Sequence, residues 1–355
     1  MACHDPLRHP KLVSIHEFPK WIAMASAERR HHFHDGQIMI LVCGEALIDL
    51  FVGAQDGGTL SAGARAGGSL FNVAVGLARL GQPVAFLGGI STDRFGIFLT
   101  DALAEERVDT KFLKRSHRPT PLAVVATDAE GQPAYTFHAN KCAETDLLSA
   151  DLPALDREVD AIALGSYTLA VGPIGPAFLE LAEREAEHRV ISLDPNLRLD
   201  LVGDLNAWHR RFDQFAATAS IIKLSREDFI AAYGPHASPE EIVARWLAGR
   251  TLLVVITDGA NGATAYHRDV RIHQSGRPIS VVDTVGAGDT FHAALLTRLR
   301  QHGLLNRSAV ASLTDHQLAD LLRYAIAAAS ITCTRRGADL PRSADIETLF
   351  RSDEG

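Results

Sequence analysis

A chain of 355 residues with 46% hydrophobic content can bury a large core, which excludes a disordered protein and allows one large α/β domain or two small ones. The net charge of −8 provides no basic footprint for nucleic acid, and no apolar run approaches the roughly 18–20 residues of a membrane span. The four cysteines, Cys3, Cys43, Cys142 and Cys333, are scattered without a CxxC pair and read as reduced thiols of a cytoplasmic protein.

Residues 1–38 hold six of the sixteen histidines and show no clear period. Arg29-Arg30-His31-His32-Phe33-His34 reads as part of a solvated, flexible N-terminal extension rather than a metal cluster. Met39 opens the first strong apolar run and is a candidate natural start, so the body of the chain is expected over residues 39–350. Strands and helices then alternate. Strands are predicted at 38–43, 83–87, 161–164, 190–193, 220–223 and 252–257, and helices at 69–80, 95–106, 176–187 and 292–299. The strands are short and almost wholly apolar, as in a parallel sheet buried on both faces. The alternation predicts an α/β fold of three layers, α/β/α, with a mostly parallel sheet whose carboxyl ends carry the site. Two stretches break the alternation. Residues 50–66 are rich in Gly, Ala and Thr, and 120–138 contain two strands, 122–127 and 134–138, around the turn Asp128-Ala129-Glu130-Gly131. These are expected to form a small projecting β lid; the alternative is that they are edge strands of the main sheet.

The chemistry concentrates in Asp283-Thr284-Val285-Gly286-Ala287-Gly288-Asp289-Thr290-Phe291. Gly286, Ala287 and Gly288 allow a tight turn with exposed backbone N–H groups, and the helix that follows presents further unpaired donors and partial positive charge. Asp289 stands at this N-terminus. A base beside an anion hole is what transfer of a phosphoryl group to a hydroxyl requires, although Asp is also a common N-cap. The run ends in neither the Gly-Lys-Ser/Thr of a P-loop nor the third Gly of a dinucleotide fingerprint. A second constellation is Ala66-Gly67-Gly68-Ser69-Leu70-Phe71-Asn72, where paired glycines let a ligand approach the backbone and Asn72 can serve sugar hydroxyls as donor and acceptor. Asp49, just past the first strand in Gly44-Glu45-Ala46-Leu47-Ile48-Asp49, suits a diol. On local grounds Asp49 and Glu45 read equally well as solvated loop charges.

With these residues in view, Gly67-Gly68 and Asn72, followed by Gly81 and Gly89-Ile90-Ser91-Thr92-Asp93-Arg94-Phe95-Gly96, resemble the N-terminal signature of the ribokinase-like (pfkB) carbohydrate kinases. The run from Asp283 to Leu296 is similar to the family's C-terminal signature. Within the family the chain most resembles bacterial fructokinases, through Gly44-Glu45-Ala46-Leu47-Ile48-Asp49, Arg118-Pro119-Thr120-Pro121, Asp194-Pro195-Asn196-Leu197-Arg198 and Arg336-Gly337-Ala338. The resemblance implies a ribokinase-like fold and an ATP- and Mg²⁺-dependent kinase acting on a small sugar, with fructose the leading substrate. Asp289 would be the base and Gly286, Ala287 and Gly288 the anion hole. Asp49, Gly68 and Asn72 would hold the sugar, and Lys223, Thr257, Gly259 and Gly262 the nucleotide. Asp283 would help bind a monovalent cation such as K⁺. The family's metal-organising Asn-x-x-Glu is replaced here, with Ser225 for Asn and Asp228 for Glu, so Asp228 or Glu227 would meet the Mg²⁺ waters. Leu70 and Ile326 also depart from the family's Pro and Asn. A homodimer is expected, through the lid edges. The alternatives are a kinase of 2-keto-3-deoxygluconate or another sugar, with Arg118, Lys141 or Arg198 meeting a carboxylate, a nucleoside kinase, and a non-catalytic sugar- or nucleotide-binding regulator.

Overall fold

All five residues of the strand Met39–Cys43 are buried, because each side of the strand faces its own core. Ile40 and Val42 pack with Leu70, Val73, Leu295, Leu296 and Leu322 on one face. Met39, Leu41 and Cys43 pack with Phe178, Leu181, Phe212 and Phe215 on the other. Successive side chains of a strand point to opposite faces, so an all-apolar strand needs helices on both. The structure, a computed structural model, describes residues 38–127 and 133–351, which place the sequence in three layers, α/β/α. Of the extension expected at 1–38, all but residue 38 lie outside the described residues, as does the turn at 128–131.

The main sheet has eight strands in the order Val270–Gln274, Ala263–His267, Leu253–Thr257, Ile221–Ser225, Val190–Asp194, Val159–Gly165, Met39–Cys43, Val84–Leu87. The last six in that order run parallel, and the Ala263–His267 and Val270–Gln274 hairpin closes one edge antiparallel. The sequence reading missed that hairpin, whose outer strand alternates between half-buried and exposed residues and carries no continuous apolar run. Elsewhere the predicted strands and helices are present with ends shifted by a few residues, except that the last predicted helix is longer and starts at Ala287.

The two stretches that broke the alternation do not join the main sheet. Leu47–Asp56, Thr59–Gly67, Leu122–Thr127 and Pro133–His138 form a separate four-stranded sheet, in which Thr59–Gly67 and Pro133–His138 are the edges. Thr59–Gly67 is exposed along most of its length. This second sheet leaves the main one over the three residues between Cys43 and Leu47 and returns through Gly68 alone into the helix Ser69–Arg79. Thr120, at the entry to Leu122–Thr127, is held by Asp93, which accepts its N–H at 2.8 Å and its hydroxyl at 2.6 Å. Asp93 also caps the helix Arg94–Glu105 through Gly96 N–H, so this signature residue orders the fold at the edge of the site.

Phe178 is fully buried in the second core. Phe178→Ala is expected to cost about 3–5 kcal/mol in urea unfolding, as a large cavity in a close-packed interior does. A loss below about 1 kcal/mol would contradict this packing.

Candidate active site

Two helix N-termini meet at the carboxyl edge of the sheet. The helix Ser69–Arg79 starts after Gly68, whose φ is 108°, and the helix Ala287–Gln301 starts after Gly286, whose φ is 78°. Both angles favour glycine, and a Cβ on Gly286 would stand 2.8 Å from that of Ala338. Asp289 is the third residue of its helix, and its carboxylate does not cap that helix. It reaches across to the other one: Ser69 Oγ donates to Oδ1 at 2.7 Å and Asn72 Nδ2 to Oδ2 at 2.8 Å. The N-cap reading of Asp289 is thereby replaced by a buried carboxylate bridging two elements. Burial pushes its pKa up, Asp194 adds to the rise, and the Asn72 and Ser69 hydrogen bonds and Lys223 oppose it. The Ala287 N–H turns to Thr284 O at 3.2 Å. Those of Gly286 and Gly288 have no intramolecular acceptor among the described residues, as expected of a helix start open to an anion.

Asp49 lies on the second sheet opposite Arg65. A Cβ at Gly67 would run into the Asp49 carboxylate, so the first glycine of the pair makes room for the acid and the second makes the turn. Burial lifts Asp49 to about 6, the charge of Asp289 adds to the rise and Arg65 opposes it. Asp49, Gly68, Asn72 and Asp289 thus enclose one small region. Glu45 is not a solvated loop charge: it is 1% exposed and accepts the Ser69 N–H at 2.7 Å.

Beside the anion hole lies a buried ion pair. Lys223 Nζ donates to Asp194 Oδ2 at 2.7 Å and lies 3.2 Å from where a Gly288 Cβ would stand. Asp194 Oδ1 has no partner among the described residues. His292 shares a hydrogen bond of 2.8 Å with Ser192 Oγ, and burial, with Lys223 nearby, pushes its pKa down to about 3, so it is neutral. Asp228 Oδ1 accepts Leu197 N–H at 2.9 Å, and Oδ2 closes a capping box with Ser225 at the start of the helix Arg226–Tyr233. Glu227 is exposed next to it. Asp283 also has both oxygens occupied, by Val285 N–H at 3.1 Å and Gly337 N–H at 2.8 Å. Among the described residues no three His, Cys, Asp or Glu side chains converge as a metal cage.

Thr257 ends its strand level with Ser225, and the loop after it is closed by Asp258 N–H to Gly262 O at 2.7 Å. Gly259 and Gly262 shape that loop on the same carboxyl edge. Ile326 is buried in the core, on the helix Asp315–Cys333.

The sequence reading gave no role to Ser69, Asp194 or Tyr135. Ser69 could have been found as the first hydroxyl after the glycine pair, and Asp194 as a carboxylate ending a buried strand. Tyr135 had no local signal. It projects from the second sheet, 42% exposed, into the field of Asp49 and Asp283, which together with burial raise its pKa, while Arg198 opposes them.

The sequence profile described as pfkB family carbohydrate kinase matches residues 37–345. A fructokinase of Rhizobium leguminosarum bv. trifolii is 39% identical over 280 residues, spanning 79% of this chain and 85% of that one. Among solved structures, a fructokinase from Xylella fastidiosa with bound ATP superposes with a TM-score of 0.83 at 26% identity, covering 89% of this chain and 99% of that one. The Vibrio cholerae O395 fructokinase in its fructose-, ADP- and calcium-bound form gives 0.74 at 26% identity, over 88% and 99%.

Two acids behind the site make stability pH-dependent. Burial raises Glu45 to about 7 and Glu144 to about 8 from an ordinary 4.5. A carboxyl whose pKa is higher in the folded state binds its proton longer there, so the stability it gives is complete below 4.5 and is lost as pH rises through the folded value. Glu144→Gln keeps the shape without the ionisation. Thermal unfolding should show the wild type losing more stability than the variant between pH 5 and about 8.5; parallel losses would refute the assignment.

Proposed function

The chain belongs to the pfkB family of carbohydrate kinases, and on that premise we propose that this ATP-dependent enzyme phosphorylates a primary hydroxyl of fructose, giving fructose 6-phosphate. The observation that carries the reading is the Asp289 carboxylate, fixed between Ser69 and Asn72 beside the open N–H groups of Gly286 and Gly288. In the reaction the sugar oxygen bonds to the γ-phosphorus, the bond from that phosphorus to the β,γ-bridging oxygen breaks, and ADP departs with the electron pair. Asp289 takes the hydroxyl proton, and its raised pKa makes it a better acceptor than an exposed aspartate. Gly286 and Gly288 receive the charge on the transferred group, and Lys223, pinned by Asp194, adds positive charge at the same end. Asp49, Gly68 and Asn72 orient the sugar; Thr257, Gly259 and Gly262 line the nucleotide side.

Mg²⁺ neutralises phosphate charge when it is bound and keeps most of its waters in such sites. The residues fit that use and not a closed cage. Asp194 Oδ1 is a buried carboxylate oxygen with no partner among the described residues, and Asp228 and Glu227 stand near the same edge for contact through water. Asp283, with both oxygens held by backbone N–H groups, shapes the loop beside the hole, so a K⁺ ion there would be served mainly by other atoms. The second sheet is proposed to act as a lid that excludes water from the sugar. Its two edge strands are proposed to join two subunits in a homodimer, which light scattering in solution can test.

Fructose is favoured by the fructokinases among the relatives, including one solved with fructose and ADP. One observation favours a sugar acid such as 2-keto-3-deoxygluconate as second reading: Arg198 lies near Tyr135 and has no carboxylate partner among the described residues, whereas Arg118 is paired with Asp146 at 3.1 Å. A non-catalytic regulator is disfavoured by the intact base and open donors. ADP release measured over fructose, ribose, 2-keto-3-deoxygluconate, tagatose and nucleosides separates these readings, and fructose should give the highest kcat/KM. Asp289→Asn should lower kcat roughly 10²–10⁴-fold with calorimetric sugar affinity little changed. Near-normal turnover in that variant would exclude Asp289 as the base.

A further inference from the structure

Behind the catalytic carboxylate the structure holds a second layer that the phosphoryl transfer does not touch. Ser69 is nearly buried and faces two acids at once: its hydroxyl donates to Asp289 Oδ1 at 2.7 Å and its backbone N–H donates to Glu45 Oε1 at 2.7 Å. Glu45 belongs to the three-residue link between the first strand and the second sheet, and its own carbonyl oxygen would stand 2.8 Å from a Cβ on Gly68. Its side chain therefore holds the glycine turn through the Ser69 N–H, and its backbone packs close against Gly68. Behind it is Glu144, fully buried, with Tyr167 donating its hydroxyl to Oε1 at 3.3 Å. Glu45 Oε2 and Glu144 Oε2 are buried and have no partner among the described residues.

We propose that Ser69 and Glu45 are positioning residues for the base: Glu45 anchors the Ser69 backbone so that the Ser69 hydroxyl fixes the orientation of the Asp289 carboxylate and favours its ionised form. The proposal rests on the reading of Asp289 as the base. Asn72 holds the other oxygen, so without Ser69 the carboxylate is free to turn about a single hydrogen bond. Glu45 acts here as an acceptor and not as a charge. A carboxyl oxygen accepts an N–H whether or not the group carries a proton, so the Glu45 Oε1 anchor on the Ser69 backbone does not depend on the charge of Glu45. The groups that act electrostatically on Asp289 come from several elements: Asp194 and Lys223 from two strands of the main sheet, Asp49 from the second sheet and Glu45 from the link. None of these is altered by removing the Ser69 hydroxyl, which isolates its effect.

The test uses the whole chain with ATP, Mg²⁺ and fructose. Ser69→Ala should lower kcat on the order of ten- to a hundredfold, as the loss of a hydrogen bond to a charged group does, with little change in sugar KM. A donor to the ionised form keeps a pKa low, so its loss raises it, and the acid limb of kcat/KM should move up by about one pH unit. Ser69→Thr should recover most of the loss. Glu45→Gln keeps the acceptor oxygen and should be less impaired than Glu45→Ala by about fivefold or more. If Glu45→Ala does not fold, the comparison of Glu45→Gln with Ser69→Ala still decides, because Gln must be the milder change. Carbon-13 NMR titration of aspartate-labelled enzyme, with the Asp289 signal assigned by its absence in Asp289→Asn, reads the same shift without turnover. An unmoved Asp289 titration and acid limb in Ser69→Ala would overturn the proposal, as would Glu45→Gln losing as much as Ser69→Ala. Those outcomes leave the base assignment standing. An active Asp289→Asn enzyme would instead remove the premise.

Discussion

The contact that organises this molecule is the one between Asp289 and the helix Ser69–Arg79. It joins residues 220 and 217 positions apart in sequence through two hydrogen bonds to a buried carboxylate. Such a contact forms only if two helices lie close together with their N-termini level. Gly76 permits this: a Cβ there would stand 2.9 Å from Ala293 Cβ and 2.7 Å from a methyl of Leu340. The partial positive charge of both N-termini then falls on one spot. The acid is held between them, and the same close packing that stabilises the fold fixes the Asp289 carboxylate, the proposed base.

The electrostatic cost of this arrangement is visible around it. Asp289, Asp49, Asp194, Asp228, Glu45 and Glu144 crowd one end of the sheet, and Lys223 is the buried cation that answers them. The structure accommodates so many acids in different ways. Some carboxylates have their charge stabilised by hydrogen bonds from backbone N–H groups, as at Asp228 and Asp283. Others have their pKa pushed up by burial, as at Glu45, to about 7, and Glu144, to about 8. Asp194 Oδ1 is buried with no hydrogen-bond partner among the described residues, and under the proposed function it is the oxygen that would meet a cation arriving with the nucleotide phosphates.

The layered fold could be read from the sequence because every strand of the parallel part is short, apolar and buried on both faces. The antiparallel edge hairpin could not, because half-exposed strands lack that mark. The Gly286-Ala287-Gly288-Asp289 run reads from sequence as a tight turn before a helix whose carboxylate is either an N-cap or free to reach elsewhere. Only the tertiary contact to Ser69 and Asn72 separates the two, and no spacing rule encodes it. Glu45 illustrates the reverse error: a charged residue between two strands reads as solvated, whereas here the link is buried beneath the glycine turn. Tyr135 escaped because its relevance comes from where the second sheet places it, not from its neighbours in sequence.

The division of labour between the two sheets follows from their connections. Asp289 and the open N–H groups of Gly286 and Gly288, the proposed base and anion hole, sit on the main body, where strand ends and helix starts converge. Asp49 sits on the second sheet, tied to that body by three residues on one side and Gly68 on the other. Those short links keep Asp49 close enough to Asp289 for each negative charge to disfavour the other, and Asp49 is raised to about 6 in part for that reason. A polyol relieves this repulsion, because its hydroxyl protons can be donated to both carboxylates at once, whereas a carboxylate placed beside the pair would add to it. An acidic substituent would have to lie on the side of Tyr135 and Arg198, away from the pair. The negative charge of Asp49 and Asp289 thus agrees with the proposed neutral sugar, before any individual contact to the substrate is counted.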